Sequence, residues 1–114
     1  MVTDRSYVPS SGDIIWVSFG LTKGREQSGR RPAIVLSHRE YSKLSGLVIV
    51  CPITTKIKGY NVEVPITING VNSTILADQI KSVDLKGRGI EYLTTTNKEV
   101  LLQVLEIIRA LLYI

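Results

Sequence analysis

A chain of 114 residues leaves room for one domain, spanning 1–114, and its 44% apolar fraction is enough to build a core. There is no apolar run of roughly 18 residues to cross a bilayer, and Met1 to Ser6 carries an acid where a signal peptide would be apolar. Cys51 is the sole cysteine, which excludes an internal disulfide and a thiolate metal cluster and suits a reducing cytoplasm.

Fourteen Lys and Arg against ten Asp and Glu give a net charge of +4, which is compatible with a polyanionic or acidic partner but does not require one. The charge is not evenly spread. Lys23, Arg25, Arg30 and Arg31 face only Glu26 in segment 22–31, Lys56 and Lys58 follow, and Lys81, Lys86 and Arg88 oppose Asp84. From Asn97 onward, Lys98 and Arg109 balance Glu99 and Glu106. The positive charge sits in the first three quarters of the chain.

Residues 1–11 read as a loose arm ending at Pro9-Ser10-Ser11-Gly12. Asp13 to Phe19 alternates Ile15, Val17 and Phe19 with Ile14, Trp16 and Ser18, a strand with two partly apolar faces. Thr22 to Arg31 is a long, charged loop, and Pro32 to Leu36 is the next strand. Ser37-His38-Arg39-Glu40 has capping-box spacing for a short helix to Leu44, with His38 on its surface. Gly46 ends it, and Leu47 to Val50 reads as a buried strand.

Val62, Val64, Ile66 and Ile68 alternate with polar positions up to Asn69-Gly70, the preferred pair for a type I′ turn, and Val71 to Leu76 returns. Pro65 cannot donate to a ladder, so its strand belongs at an edge or carries a bulge. Further strands are expected near Gln79 to Val83 and Ile90 to Leu93. Thr96-Asn97-Lys98-Glu99 is a second capping-box spacing, opening a helix over 97–112. In it Leu101, Leu105, Ile108 and Leu112 form one stripe, and Val100, Val104, Ile107 and Leu111 form its neighbour. So wide an apolar face asks for a sheet and a second cover, of which another subunit is the simplest. Five to seven short strands and one terminal helix make a mainly β fold: a small, strongly bent sheet or barrel capped by the helix. At this level an SH3-like or OB-like binding module remains open.

The common catalytic sets are missing. His38 is the lone histidine, and there is no HxxxH, CxxC, aspartate cluster or GxxxxGK[ST] loop, so neither a metal nor a nucleotide cofactor is expected. What remains is arginines, lysines and hydroxyls beside loops. Such a set suits a phosphodiester, because the guanidinium fork matches two phosphate oxygens and a hydroxyl can hold a third. RNA brings its own nucleophile, the 2′-hydroxyl. A protein then needs only to align it and stabilise the phosphorane, with a 2′,3′-cyclic phosphate and a 5′-hydroxyl as products.

Three blocks carry a resemblance. Gly12-Asp13-Ile14-Ile15-Trp16-Val17 with Gly24-Arg25-Glu26-Gln27-Ser28-Gly29-Arg30-Arg31-Pro32-Ala33-Ile34-Val35-Leu36-Ser37 is the first. Pro52-Ile53-Thr54-Thr55 with Lys58-Gly59-Tyr60 is the second, and Ala77 to Asp84 is the third. In order, from Gly12 to about Ile114, these resemble the MazF/PemK toxins. The resemblance implies a CcdB/MazF-like fold, an SH3-like barrel with a C-terminal α-helix, and a symmetric homodimer. It implies a sequence-specific endoribonuclease acting on single-stranded mRNA, neutralised by a cognate antitoxin whose acidic, disordered tail fits a basic groove.

By the same resemblance Arg31 takes the position of the catalytic arginine, Thr54 that of the catalytic threonine, and Glu26 that of an acidic loop residue linked to activity. A guanidinium keeps its proton, so Arg31 suits stabilising the phosphorane and protonating the departing 5′-oxygen. Glu26 is left as general base or as the group orienting Arg31. Gln27, Arg30, Lys56, Lys58, Tyr60, Gln79 and Lys81 are candidates for RNA contact or for a solvated barrel rim. Tyr60 is a stacking platform or a buried barrel tyrosine, and Trp16 belongs to the core or a dimer interface. One departure is Ser18-Phe19-Gly20-Leu21, where the family commonly has Asp-Phe-Asp-Pro; Gly20 is expected to loosen the loop to Arg31. Related toxins that poison DNA gyrase end in Trp-Gly-Ile, whereas this chain ends Leu112-Tyr113-Ile114. A non-catalytic RNA- or peptide-binding module is the other alternative.

Overall fold

The computed structural model describes residues 7–20, 24 and 26–113, so Lys23, Arg25, Leu21 and the first six residues of the arm lie outside the described residues. In chain order the elements are β1 (Asp13–Ser18), β2 (Arg30–Val35), α1 (Arg39–Ser45), β3 (Leu47–Thr54), β4 (Glu63–Ile68), β5 (Val71–Leu76), β6 (Lys81–Asp84), β7 (Glu91–Thr95) and α2 (Lys98–Leu112). The sheet runs β4-β5-β3-β2-β1-β7, with β6 also on β3. Strand β3 is the hub. One of its edges pairs with β2, while the other pairs with β6 through Val50 and then with β5 at Ile53 and Thr54. That handover curls the sheet. The path ends at β4 and β7, which makes the sheet a half-barrel rather than a closed barrel.

The curl buries both faces. Ile14, Ile34, Cys51, Ile53, Val64 and Ile75 pack with Val104 of α2, while Ile15, Val17, Phe19, Ala33, Val35, Val48, Val50 and Val83 fill the other side. Adjacent Ile14 and Ile15 are both fully buried, which is why β1 reads as apolar on two faces. Burying a side chain such as Val104 stabilises the fold by roughly 1.5–3 kcal/mol. Among the described residues β4 pairs with β5 alone, so Pro65 lies at an edge as its missing donor requires. Asn69 (φ 49°) and Gly70 (φ 80°) both adopt the left-handed backbone that a type I′ turn demands.

Several expectations are corrected. Residues 7–11 are not loose. Tyr7 donates to Asp13 Oδ2 at 2.7 Å, the Ser10 amide to the same oxygen at 3.0 Å, and Ser11 Oγ to the carbonyl of Ser37 at 2.9 Å. The first capping box does not form: Ser37 Oγ instead accepts from the Ile49 amide at 3.0 Å, leaving His38 as the N-cap with no side-chain bond. At α2 the cap is Asn97, which accepts from the Val100 amide at 3.0 Å, rather than Thr96. Strand β2 starts two residues early, at Arg30, and β3 extends past Val50 to Thr54. Gln79 and Ile80 stay outside β6, because residues 77–78 turn with the Gln79 amide bonded to the Leu76 carbonyl.

On α2, Val104 is buried and Val100, Leu101, Ile107 and Ile108 are partly buried against the sheet, but Leu102, Leu105, Leu111 and Leu112 are exposed. The sheet covers only part of the wide apolar face. Among the described residues, no helix is long and apolar enough to cross a membrane.

Candidate active site

Ala33 of β2 lies opposite Pro52 of β3, and Ile34 opposite Cys51. The β2–β3 ladder ends at Ala33–Pro52; two positions beyond it on each strand, Arg31 and Thr54 fall by the two-residue period on the face of Ala33, Val35, Val50 and Pro52. Val17 of β1, paired with Arg31, is buried on that face. Arg31 and Thr54 therefore leave the same side of the sheet, beyond the point where β3 departs from β2 to join β5.

Each is held locally. The Nε–H of Arg31 donates to the Ser28 carbonyl at 2.6 Å, which uses the inner donor of the guanidinium fork and not its two terminal nitrogens. Thr54 is 4% exposed, and its Oγ1 accepts from the Lys56 amide at 3.2 Å. A hydroxyl engaged as acceptor retains its proton to donate.

Beside them is a cleft of about 410 Å³ lined by Phe19, Glu26, Gln27, Pro52, Gln79 and Lys81, together with Asp78 and Ile80. Lys81 pairs with Val50 in the β3–β6 ladder, which places it on the face of Arg31 and Thr54. The Gln27 amide donates to Gln79 Oε1 at 3.0 Å, tying the loop that carries Glu26 to the turn before β6. Arg31 and Thr54 are not among the cleft's lining residues; Thr54 lies two positions beyond Pro52 on the same face.

Past Thr54 the chain forms an exposed loop with Lys56, Lys58 and Tyr60. Tyr60 is 61% exposed, which removes the buried-tyrosine alternative, and the Lys58 ammonium sits 5.9 Å from its ring centroid. The amides of Lys58 and Gly59 both donate to Glu63 Oε1, at 3.2 and 3.1 Å.

The comparisons with known proteins agree on one family. Residues 10–112 match the PemK-like, MazF-like toxins of type II toxin–antitoxin systems. The chain belongs to this family. It is 47% identical to the endoribonuclease toxin MazF of Escherichia coli K12 over 83 residues, 73% of this chain and 75% of that protein. It is 35% identical to the endoribonuclease toxin ChpB of the same organism, over 68% of this chain and 71% of that one. The crystal structure of MazF from Deinococcus radiodurans superposes with a TM-score of 0.87 at 40% identity, covering 94% of this chain and 98% of that one.

Not every candidate joins the site of this PemK/MazF-like chain. Arg30 alternates with Arg31 and so points to the opposite face. There it bonds Glu91 at 2.8 Å and the Gly89 carbonyl at 2.6 Å, with its guanidinium 5.7 Å from the Trp16 ring centroid. The partly buried Trp16 is thus a seat for Arg30. At the base of the loop after Gly20, the Phe19 amide donates to the Gly29 carbonyl at 2.9 Å and the Gly29 amide to the Gly20 carbonyl at 2.8 Å, while residues 21–23 and 25, on which the expected loosening falls, lie outside the described residues. Two contributors were not foreseen. The Ser28 carbonyl has no side-chain signature, and Glu63 reads in the alternating pattern as an outward residue of a strand.

Proposed function

We propose that this chain is a sequence-specific endoribonuclease toxin that cleaves single-stranded mRNA without a metal ion, acts in the cytoplasm as a homodimer, and is held inactive by a cognate antitoxin. Support for the activity comes from relatives named endoribonuclease toxins, and the same names disfavour the gyrase-poisoning alternative. Support for the partner comes from the family's definition by toxin–antitoxin systems and from the relative solved as MazE-MazF, at 37% identity and a TM-score of 0.80. The observation that supports the mechanism is that Arg31 and Thr54 share one face of the sheet at the end of the β2–β3 ladder.

In this mechanism the Thr54 hydroxyl donates to one non-bridging oxygen of the scissile phosphate and the terminal nitrogens of Arg31 hold another. The ribose 2′-oxygen attacks phosphorus while its proton passes to the Glu26 carboxylate, the general base at the cleft. As the bond to the 5′-oxygen breaks, that oxygen takes a proton from Arg31, which is reprotonated through solvent. The Ser28 carbonyl already supplies an orienting contact to Arg31, so Glu26 is better used as the base. Lys81, Gln27 and Gln79 line the approach to the cleft, and Lys56, Lys58 and Tyr60 meet the strand on the other side of Thr54. Arg30 is assigned to bracing the fold rather than to RNA.

The deciding experiment incubates purified protein with a mixed RNA library in EDTA and maps the new ends. Cleavage at one short consensus, leaving 5′-hydroxyl ends, is expected. Intact RNA, or 5′-phosphate ends, overturns the reading.

A further inference from the structure

The loop between β3 and β4 is built around one carboxylate. Glu63 Oε1 accepts from two consecutive amides, Lys58 and Gly59, while the Glu63 amide returns to the Tyr60 carbonyl at 3.0 Å. Gly59 has φ of +76°, the left-handed setting that lets successive N–H groups converge on one anion, and a Cβ there would meet nothing within 4 Å. Its glycine is therefore a backbone requirement and not a space requirement. The two residues that flank it carry the loop's chemistry, the Lys58 ammonium 5.9 Å from the centroid of the Tyr60 ring. At the other end, the Lys56 amide donates to Thr54 Oγ1 at 3.2 Å, so the same short loop runs directly out of the proposed phosphate-binding hydroxyl.

A tyrosine 61% exposed, paired with a cation on a loop that its own carboxylate closes, is a preformed stacking surface. Base stacking on an aromatic side chain is worth roughly 1–3 kcal/mol per base, which corresponds to about five- to 150-fold in affinity, but only if the ring is held in place. We propose that Glu63 is a positioning residue for substrate recognition: by closing the Lys58-Gly59-Tyr60 turn it fixes the Lys58–Tyr60 pair as a platform for one base beside the phosphate at Thr54. The proposal rests on the ribonuclease reading above. Glu63 touches no substrate atom; it acts through Tyr60.

The test uses the purified full chain, a fluorescent RNA oligonucleotide bearing the wild-type cleavage consensus, and variants of that oligonucleotide at each flanking base. Glu63→Ala is expected to raise KM about tenfold, to leave kcat within about threefold, and to flatten base preference at one flanking position. Glu63→Gln, whose amide oxygen still accepts from both amides, recovers most of the lost affinity. Gly59→Ala strains the turn without touching the carboxylate and gives the Glu63→Ala pattern, which keeps the test open should Glu63→Ala fail to fold. The Glu63→Ala/Tyr60→Ala pair binds no more weakly than Tyr60→Ala alone. The proposal is overturned if Glu63→Ala keeps wild-type KM and base preference, if it binds RNA more tightly because the freed amides take up phosphate, or if kcat falls with KM and Glu63→Gln restores neither. Failure of the wild-type protein to cut any RNA defeats the ribonuclease reading instead, a result distinct from all three.

Discussion

The inner guanidinium nitrogen of Arg31 donates to the backbone carbonyl of Ser28 across 2.6 Å, so the residue proposed to meet the phosphorane is aimed by the main chain of its own loop. Arg31→Ala is expected to lose about 3 kcal/mol of transition-state stabilisation, on the order of a hundredfold in kcat/KM. Arg31→Lys keeps the charge but loses both the fork and the Ser28 contact, and recovers little. Single-turnover cleavage by variants with wild-type circular dichroism checks this; cleavage at the wild-type rate by Arg31→Ala removes the mechanism.

Arg30 is expected to behave as the opposite of its neighbour. Its ion pair with Glu91 is partly exposed, so the pair and the Trp16 contact together are worth about 1 kcal/mol. Arg30→Ala should lower Tm by a few degrees and leave the salt dependence of RNA binding unchanged. Gly89→Ala should destabilise more, because its Cβ would lie 2.7 Å from the bonded Arg30 nitrogen at a φ of +61°. A reduced salt slope in Arg30→Ala would return Arg30 to the RNA interface.

Tyr7 joins the N-terminal segment to the sheet through the carboxylate of Asp13, which also accepts from Thr95. Burial first, and then the bond to Asp13, push the phenol far above its ordinary value of 10.0. The folded state thus favours the protonated form. Its stabilising contribution is complete below about pH 10, where the unfolded tyrosine is still protonated, and declines as the pH rises beyond that. Denaturant melts between about pH 9 and 11 should show wild type losing more stability than Tyr7→Phe. Equal losses in the two proteins contradict the assignment.

Burial likewise pushes the Cys51 thiol up to about 12 from 9.0, with the thiol 3.8 Å from the Ala77 carbonyl. Its thiolate is scarce in the folded protein, so a disulfide reagent at about pH 8 should label Cys51 only after unfolding. The linked stability is present below about pH 9 and is lost as the pH climbs toward 12. Rapid labelling of the native protein would show that the core opens around β3.

The exposed leucines of α2 bear on assembly. Leu105→Glu, at a position 37% exposed, should leave the fold intact while shifting a dimer toward monomer if a second copy covers this stripe. Sedimentation at several concentrations measures the shift; an unchanged dimer places the interface elsewhere.

Local signals were legible where chemistry is local. Alternation marked β1, Asn69-Gly70 marked the hairpin turn, Pro65 marked an edge, and the change of period marked α2. Those features follow from side-chain period, left-handed backbone and a missing donor, all of which a single segment expresses by itself. Ser37 and Thr96 misled because a hydroxyl bonds whichever amide the fold brings near. Ser37 met β3, and Asn97 rather than Thr96 stood at the helix boundary.

The sequence by itself determined which residue types were available for phosphate chemistry, one arginine and one threonine in recognisable surroundings, because composition and motif are properties of the chain. Tertiary structure decided which face of the sheet each of two adjacent arginines takes. That choice depends on the register of β2 in the sheet, where a slip of one residue would send Arg31 to the Trp16 side and bring Arg30 to the face of Pro52. Register is set by which apolar residues are buried on each face of the curled sheet, a condition on many segments at once that no one stretch of sequence contains.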